Sequence, residues 1–153
     1  MKEPLTLRAG DFFSFTGEVL VFRDRLQKLL LENRLRRNLA ETIVYYCGPV
    51  LREGRILSCG PTTISRMEEG IPGLVERGVR GFIGKGRLSP SSLKKKAFYF
   101  MTVGGAGACL ARKISSFKVL ARPGLGPEAL YSFSLREFPL LVAVDLTGKS
   151  VYT

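Results

Sequence analysis

The sequence contains no histidine and no tryptophan. Without an imidazole the chain cannot by itself supply a Ser-His-Asp triad, a histidine-ligated zinc site or a histidine proton shuttle. Cysteine is scarce: Cys47, Cys59 and Cys109 are odd in number, stand far apart and include no CxxC pair, so no zinc or iron-sulfur ligand set is visible. They read as small buried apolar residues in a reducing, cytoplasmic setting. No run approaches the ~20 apolar residues of a membrane span. Residues 1–4 lead into no signal-peptide core, so a soluble, untargeted protein is expected. Acidic residues are also few. Asp and Glu number 13 against 24 Lys and Arg, and the formal charge of +11 predicts a strong positive field and acidic partners. The rest is ordinary for a globular chain: 153 residues and 45% apolar content suit one self-sufficient domain spanning 1–153.

Apolar and aromatic runs at 12–15 and 18–22 predict two strands, or a strand and a bend, around Thr16-Gly17. Asp24 is placed as the N-cap of a helix ending near Asn33. Phe22, Leu26, Leu29 and Leu30 share one arc of that helix, whereas Leu31, Leu35 and Leu39 turn to the opposite side. A basic connection at 34–41 enters a strand at 42–47 that breaks at Gly48-Pro49, and the next strand, 55–59, stops at Gly60-Pro61. Short helices are expected from Thr62 and over 71–77, with Gly78 closing the second. A strand at 79–83 then delivers Gly84-Lys85-Gly86, followed by a polar loop at 89–96 and a buried strand at 97–103. Gly104-Gly105 introduces a helix over 106–114. Strands at 117–120, 130–135 and 140–145, with a turn at 147–149 and a short terminal strand, complete the set. Strands and helices alternating between strand-rich ends predict an α/β fold with a mixed sheet.

Gly60-Pro61-Thr62-Thr63-Ile64-Ser65-Arg66-Met67 is the most informative run, because it ends a strand and opens a helix with two hydroxyls beside unpaired backbone N–H groups. A helix start attracts anions, and on a helix Thr62 and Arg66 would share a face. There a guanidinium could grip a carboxylate within reach of the hydroxyl. An ordinary capped helix with a solvated Arg explains the spacing equally well. Gly84-Lys85-Gly86 sets one ammonium on a turn open to a ligand, or is a plain turn with an exposed Lys; no GxxxxGK[ST] pattern supports a nucleotide. Arg23 could add a third cation to a site. Asp145 and Glu128 read as structural carboxylates rather than an acid/base pair. The basic stretches 34–37 and 94–96, the latter near Phe98, Tyr99 and Phe100, read as solvated faces. No RNP, KH or helix-turn-helix signature accompanies them, so nucleic acid is not the expected partner.

Taken in order, these pieces resemble the beta subunit, or C-terminal domain, of the iron-sulfur class I fumarate hydratases and L-tartrate dehydratases. The matching residues are Gly17, Arg23-Asp24, Tyr45-Tyr46-Cys47-Gly48-Pro49, Gly60-Pro61-Thr62-Thr63 with Arg66-Met67, and Ile83-Gly84-Lys85-Gly86. They continue through Gly104-Gly105-Ala106, Gly126-Pro127-Glu128-Ala129 and Phe138-Pro139 with Val144-Asp145. The resemblance implies a swivelling β/β/α domain with a mixed sheet, partnered by a larger alpha subunit whose three cysteines hold a 4Fe-4S cluster. None of those ligands lies in this chain, which is expected to bind no cofactor itself. It further implies a hydro-lyase, active only with that alpha subunit, that adds or removes water on a C4 dicarboxylate such as fumarate/malate or tartrate. The cluster iron acts there as a Lewis acid. By position, Arg23, Arg66 and Lys85 would bind the substrate carboxylates; Thr62 would hydrogen-bond substrate and take part in proton abstraction. Thr62, Arg66 and Lys85 are thus the expected catalytic residues. The family's first motif continues to a His where this chain has Gln27, which keeps open an alternative: a non-catalytic paralogue binding an anionic ligand or a protein. A cytoplasmic hetero-oligomer is expected, or a homodimer for the chain alone, with no membrane partner.

Overall fold

Ile43–Tyr46 and Gly81–Gly84 are buried at every position, the pattern of parallel strands covered on both faces. A computed structural model describes residues 6–102, 107–125 and 128–152 and shows what covers them. Among these residues the elements run β1 (Phe12–Phe22), α1 (Asp24–Leu31), β2 (Ile43–Tyr46), β3 (Val50–Arg52), β4 (Arg55–Ser58) and α2 (Ile71–Glu76). They continue with β5 (Gly81–Gly84), β6 (Phe98–Thr102), α3 (Gly107–Ala111), β7 (Ile114–Leu125) and β8 (Glu128–Val144). The expected helix start at Gly104-Gly105-Ala106, the Gly126-Pro127 pair and residues 1–4 lie outside the described residues. No helix among the described residues is long and apolar enough to cross a membrane.

The sheet is mixed, as its sequence predicts, but it also closes. β1, β2, β5 and β6 are parallel neighbours in that order, and β8 runs antiparallel to both β6 and β1, joining the two ends of the row. β7 forms an antiparallel pair with β8 outside the ring, and β3 and β4 make a separate two-stranded sheet. Closure removes edges that the parallel row would otherwise expose. It also creates an interior. Tyr45 of β2 meets Phe138 of β8 at 5.5 Å between ring centroids, and Phe13 of β1 meets Phe100 of β6 at 5.3 Å, although neither pair is on neighbouring strands.

Period-two alternation sorts the ring's residues into two cores. Val19, Val21, Ile43, Tyr45, Ile83, Phe98 and Phe100 pack with Phe133, Phe138 and Val142 of β8. The opposite face, with Leu20, Phe22, Val44, Tyr46, Phe82 and Tyr99, meets Leu26 and Leu30 of α1 and Ile71, Leu74 and Val75 of α2. Each large apolar side chain fully buried in this way contributes ~1.5–3 kcal/mol.

Two pairs of expected strands are each one strand. The runs at 12–15 and 18–22 join in β1, whose register against β8 shifts between Phe15 and Gly17. The runs at 130–135 and 140–145 join in β8, which passes through Glu137 at φ 49°. The two irregularities face each other: the Glu137 amide donates to the Thr16 hydroxyl oxygen at 2.9 Å. Asp24 is not a cap. Arg23 takes the N-cap position without a side-chain cap bond, and the carboxylate of the distant Glu128 accepts the Leu26 amide at 2.8 Å. A carboxylate there also complements the helix dipole.

Candidate functional site

Parallel strands end on one side of a sheet, so the residues after β1, β2 and β5 share a rim. Arg23 follows β1, Cys47-Gly48 follow β2, and Lys85 follows β5. The segment carrying Thr62 is laced between the last two. Cys47 pairs with Pro61 in an antiparallel bridge, and the Thr62 amide donates to the Tyr46 carbonyl at 2.8 Å. Thr63 then pairs in parallel with Lys85: the Lys85 amide donates to Thr62 O at 3.2 Å and the Ile64 amide to Lys85 O at 2.9 Å. Thr62 and Lys85 are therefore held together by main-chain bonds that leave both side chains free for other uses.

This lacing corrects the expected geometry at Thr62. No helix begins there, because the Thr62 and Ile64 amides are engaged by two strand ends. Helical turns start only at Ile64–Arg66 and Glu68–Gly70, both 3₁₀, before α2. Thr62 and Arg66 accordingly share no helical face, and the unpaired amides expected at a helix start are absent from Thr62. Arg66 is exposed on the first turn after the Thr63–Lys85 pairing, its amide donating to Thr63 O at 3.4 Å. Lys85 is exposed on a loop fixed from beneath: the buried Tyr99 of β6 donates its hydroxyl to the Gly86 carbonyl at 2.6 Å. Gly86 lies at φ 86°, a conformation that side-chain-bearing residues rarely adopt.

Arg23 is half-buried and lies over Gly48. A Cβ added to Gly48 would stand 2.9 Å from Arg23 Cδ and 3.0 Å from Nη1, so glycine is what admits the guanidinium. The Nε of Arg23 is buried without a hydrogen-bond partner among the described residues. A buried charged donor left unpaired is costly and marks a place where an acceptor belongs. A cavity of about 410 Å³ opens beside it, lined by Arg23, Arg25, Cys47, Gly48, Glu128 and Tyr131 among others. Thr62, Arg66 and Lys85 do not line this cavity; they lie on the neighbouring stretch of the rim, reached through Tyr46, Cys47 and Gly48. Tyr131 carries no motif that singles it out as a cavity residue, since it reads as one more apolar position in a strand, and Cys47 stands out in the sequence only as a member of Tyr45-Tyr46-Cys47-Gly48-Pro49.

Gln27 is buried in α1 and spans two elements. It accepts a hydrogen bond from the Tyr46 hydroxyl and donates through Nε2 to the Met67 carbonyl at 3.1 Å. An amide does this without ionising, tying α1 and β2 to the turn just after Arg66. The two carboxylates considered in the sequence are engaged by amides. Glu128 holds the first turn of α1, and the buried Asp145 accepts from the amides of Ala9, Thr147 and Lys149 at 3.0, 2.9 and 3.2 Å. Burial by itself would raise the Asp145 pKa, but those bonds and one from the Thr147 hydroxyl hold it below the ordinary carboxylate range. Phe98, Tyr99 and Phe100 are buried and form no stacking platform beside Lys94, Lys95 and Lys96. Of the cysteines, Cys47 and Cys59 are buried as expected, while Cys109 is exposed. Among the described residues no three His, Cys, Asp or Glu side chains converge to hold a metal ion.

Comparison with known proteins adds a second, independent line. The chain is 28% identical over 169 residues to a Methanocaldococcus jannaschii protein named "Putative L(+)-tartrate dehydratase subunit beta", covering 99% of this chain and 86% of that one. It is 30% identical over 152 residues to the aerobic class I fumarate hydratase of Escherichia coli K12, and 32% identical over 158 residues to fumarate hydratase 2 of Leishmania major. Those matches take in 91% and 94% of this chain but 28% of each hydratase, so the chain corresponds to under a third of their length. The family model described as Fumarase C-terminus matches residues 2–153. Matched from its second residue to its last, the chain belongs to the fumarase C-terminus family.

Proposed function

We propose that the chain is the beta subunit of a hydro-lyase that reversibly adds or removes water on a C4 dicarboxylate, fumarate/malate or tartrate, together with an iron-sulfur alpha subunit in the cytoplasm. The relatives named above support the reaction class. The observation that supports the assignment to particular residues is the lacing of Thr62 to the ends of β2 and β5, on the same rim as the buried Nε of Arg23, which has no partner among the described residues.

In this reading Arg23, Arg66 and Lys85 bind the two carboxylates of the substrate, and the Thr62 hydroxyl hydrogen-bonds substrate and takes part in moving the proton α to one carboxylate. Loss of that proton builds negative charge on the adjacent carboxylate. Cations fixed in advance stabilise that charge more in the transition state than in the ground state, which is what accelerates the step. The main-chain bonds at Thr62 and Lys85, with Tyr99 under the loop, supply the fixing. Gln27 serves the frame rather than the chemistry: its two hydrogen bonds hold the turn next to Arg66, and an amide suffices for that. In this reading the cluster belongs to the partner, and the residues of this chain bind and orient the substrate.

The test is reconstitution. The chain is co-expressed with a candidate alpha subunit, the cluster is rebuilt anaerobically, and fumarate, malate and tartrate turnover are followed. Turnover by the complex and none by the chain alone is the expected result. A stable complex with an intact cluster and no turnover of any of the three would overturn the reading.

A further inference from the structure

The loop that carries Lys85 is pinned at successive residues on its way back from the rim. The Lys85 peptide is bonded on both sides to segment 62–64. The Gly86 carbonyl accepts the Tyr99 hydroxyl, Leu88 is buried in the core shared with α1 and α2, and the Ser89 amide donates to the Glu68 carboxylate at 2.8 Å. Arg87 stands among these anchors, exposed and in no ion pair among the described residues. Its guanidinium carbon lies 5.0 Å from the centre of the Tyr152 ring, over the ring face. At that range the face of an aromatic ring attracts a cation.

Tyr152 is far from this loop in sequence and is brought to it by the chain folding back after β8. Residues 145–149 turn, Ser150 bridges Val144 in antiparallel fashion, and the Val151 amide donates to Ala143 O at 2.9 Å. The Tyr152 amide donates to the Ser150 hydroxyl oxygen at 3.0 Å, and the Tyr152 hydroxyl donates to Met101 Sδ at 3.3 Å. Met101 lies two residues beyond Tyr99 on β6, so the two share a face of that strand, and both pack into the same core. Tyr99 therefore supports Gly86, and Tyr152, fastened to the same face of β6, supports Arg87.

We propose that Tyr152 is a positioning residue for Lys85, acting through Arg87. The proposal rests on the reading of Lys85 as a substrate-binding cation given above. An ammonium on a long side chain stabilises developing charge well only where its backbone is held still. Segment 62–64 restrains Lys85 from one side. On the other side Gly86, at φ 86°, has no side chain to hold the turn, so the restraint comes from the Tyr99 hydroxyl and from Arg87 on the Tyr152 ring. The ring holds a cation without adding an anion. A carboxylate there would also grip Arg87, but its charge would stand two residues from Lys85 and oppose the approach of a dianion.

The test has two arms. In the folded chain alone, deuterium exchange is followed by NMR at the Lys85 and Ile64 amides, whose hydrogen bonds pair the two segments. Tyr152→Ala should speed both about tenfold and leave the Ile43–Tyr46 amides unchanged, whereas Tyr152→Phe, which keeps the ring, should stay within about twofold of wild type. Arg87→Ala removes the same contact from an exposed position and should reproduce the Tyr152→Ala result. In the reconstituted complex, Tyr152→Ala should lower kcat/KM about fivefold, mostly in kcat, and cause no further loss where Lys85 is already Ala. Wild-type exchange at Lys85 in both Tyr152→Ala and Arg87→Ala would overturn the proposal. So would wild-type kcat/KM in those variants, or an undiminished fivefold loss in the Lys85→Ala background. A wild-type complex that turns over none of the diacids would instead overturn the hydro-lyase reading, and with it the role given to Lys85, whatever the exchange rates.

Discussion

Arg23 stands where it does because the residue beneath it has no side chain. Gly48→Ala puts a methyl group into the space of Arg23 Cδ and Nη1, atoms of a side chain that can swing aside, so the fold tolerates it and the guanidinium moves. In the reconstituted complex we expect KM to rise about tenfold, with a smaller effect on kcat and an unchanged melting curve, one displaced charge contact being worth ~1.4 kcal/mol. Arg66→Ala and Lys85→Ala should each lower kcat/KM by ~100-fold while the complex still assembles; wild-type rates in both would remove them from the site. Asp145 tests a different property. Its folded pKa lies below the ordinary value, so its contribution to stability is complete above the unfolded carboxyl pKa of ~3.9 and disappears as pH falls through the folded one. Asp145→Asn should cost ~1–3 kcal/mol in urea unfolding at neutral pH and progressively less below pH 4. The residue types were legible in the sequence: three cations and a hydroxyl next to glycines and strand ends. The cradle at Gly48 was not, because nothing local links position 48 to position 23.

α1 owes its two ends to residues far away in sequence. Glu128 accepts the Leu26 amide at its start, and at its end the Arg77 guanidinium donates to the Leu30 and Leu31 carbonyls, the latter at 2.8 Å. Those carbonyls have no partner inside the helix, and a cation there also suits the dipole. Arg77→Ala should therefore destabilise the chain by ~1.5–3 kcal/mol, the scale of hydrogen bonds to a charged group, read as a lowered urea midpoint with an unchanged slope. Sequence periodicity placed the helix and its end near Asn33, but its caps come from tertiary structure, which is why Asp24 looked like the cap and is not. The same competition decided Thr62. Gly60-Pro61 followed by hydroxyls is good helix-start chemistry, yet two strand ends offered the Thr62 and Ile64 amides partners first. β1 and β8 were each divided in the sequence reading at Gly17 and near Pro139, because bulges and turns use the same residues and only pairing distinguishes them.

At the scale of the molecule, a mixed sheet was legible and its closure was not. The order of strands and helices follows from local apolar patterning, whereas the ring depends on β8 reaching two strands that lie far apart in the chain. Closure also explains why one rim gathers residues from positions 23, 48, 62 and 85: four parallel strands in a ring aim their carboxyl ends the same way. The ring leaves the central strands no free edge from which to fray. Amide protons of Ile43–Tyr46 should consequently exchange with deuterium only when the whole barrel opens, with an apparent opening free energy equal to that of global unfolding. The β3–β4 hairpin, outside the ring, should exchange through smaller local openings. Matching protection in the two regions would show that the hairpin and the ring open as one cooperative unit. Slower exchange in β2 would instead mean that the hairpin beside Gly48 can breathe at little cost, giving the rim a supple border on a rigid base.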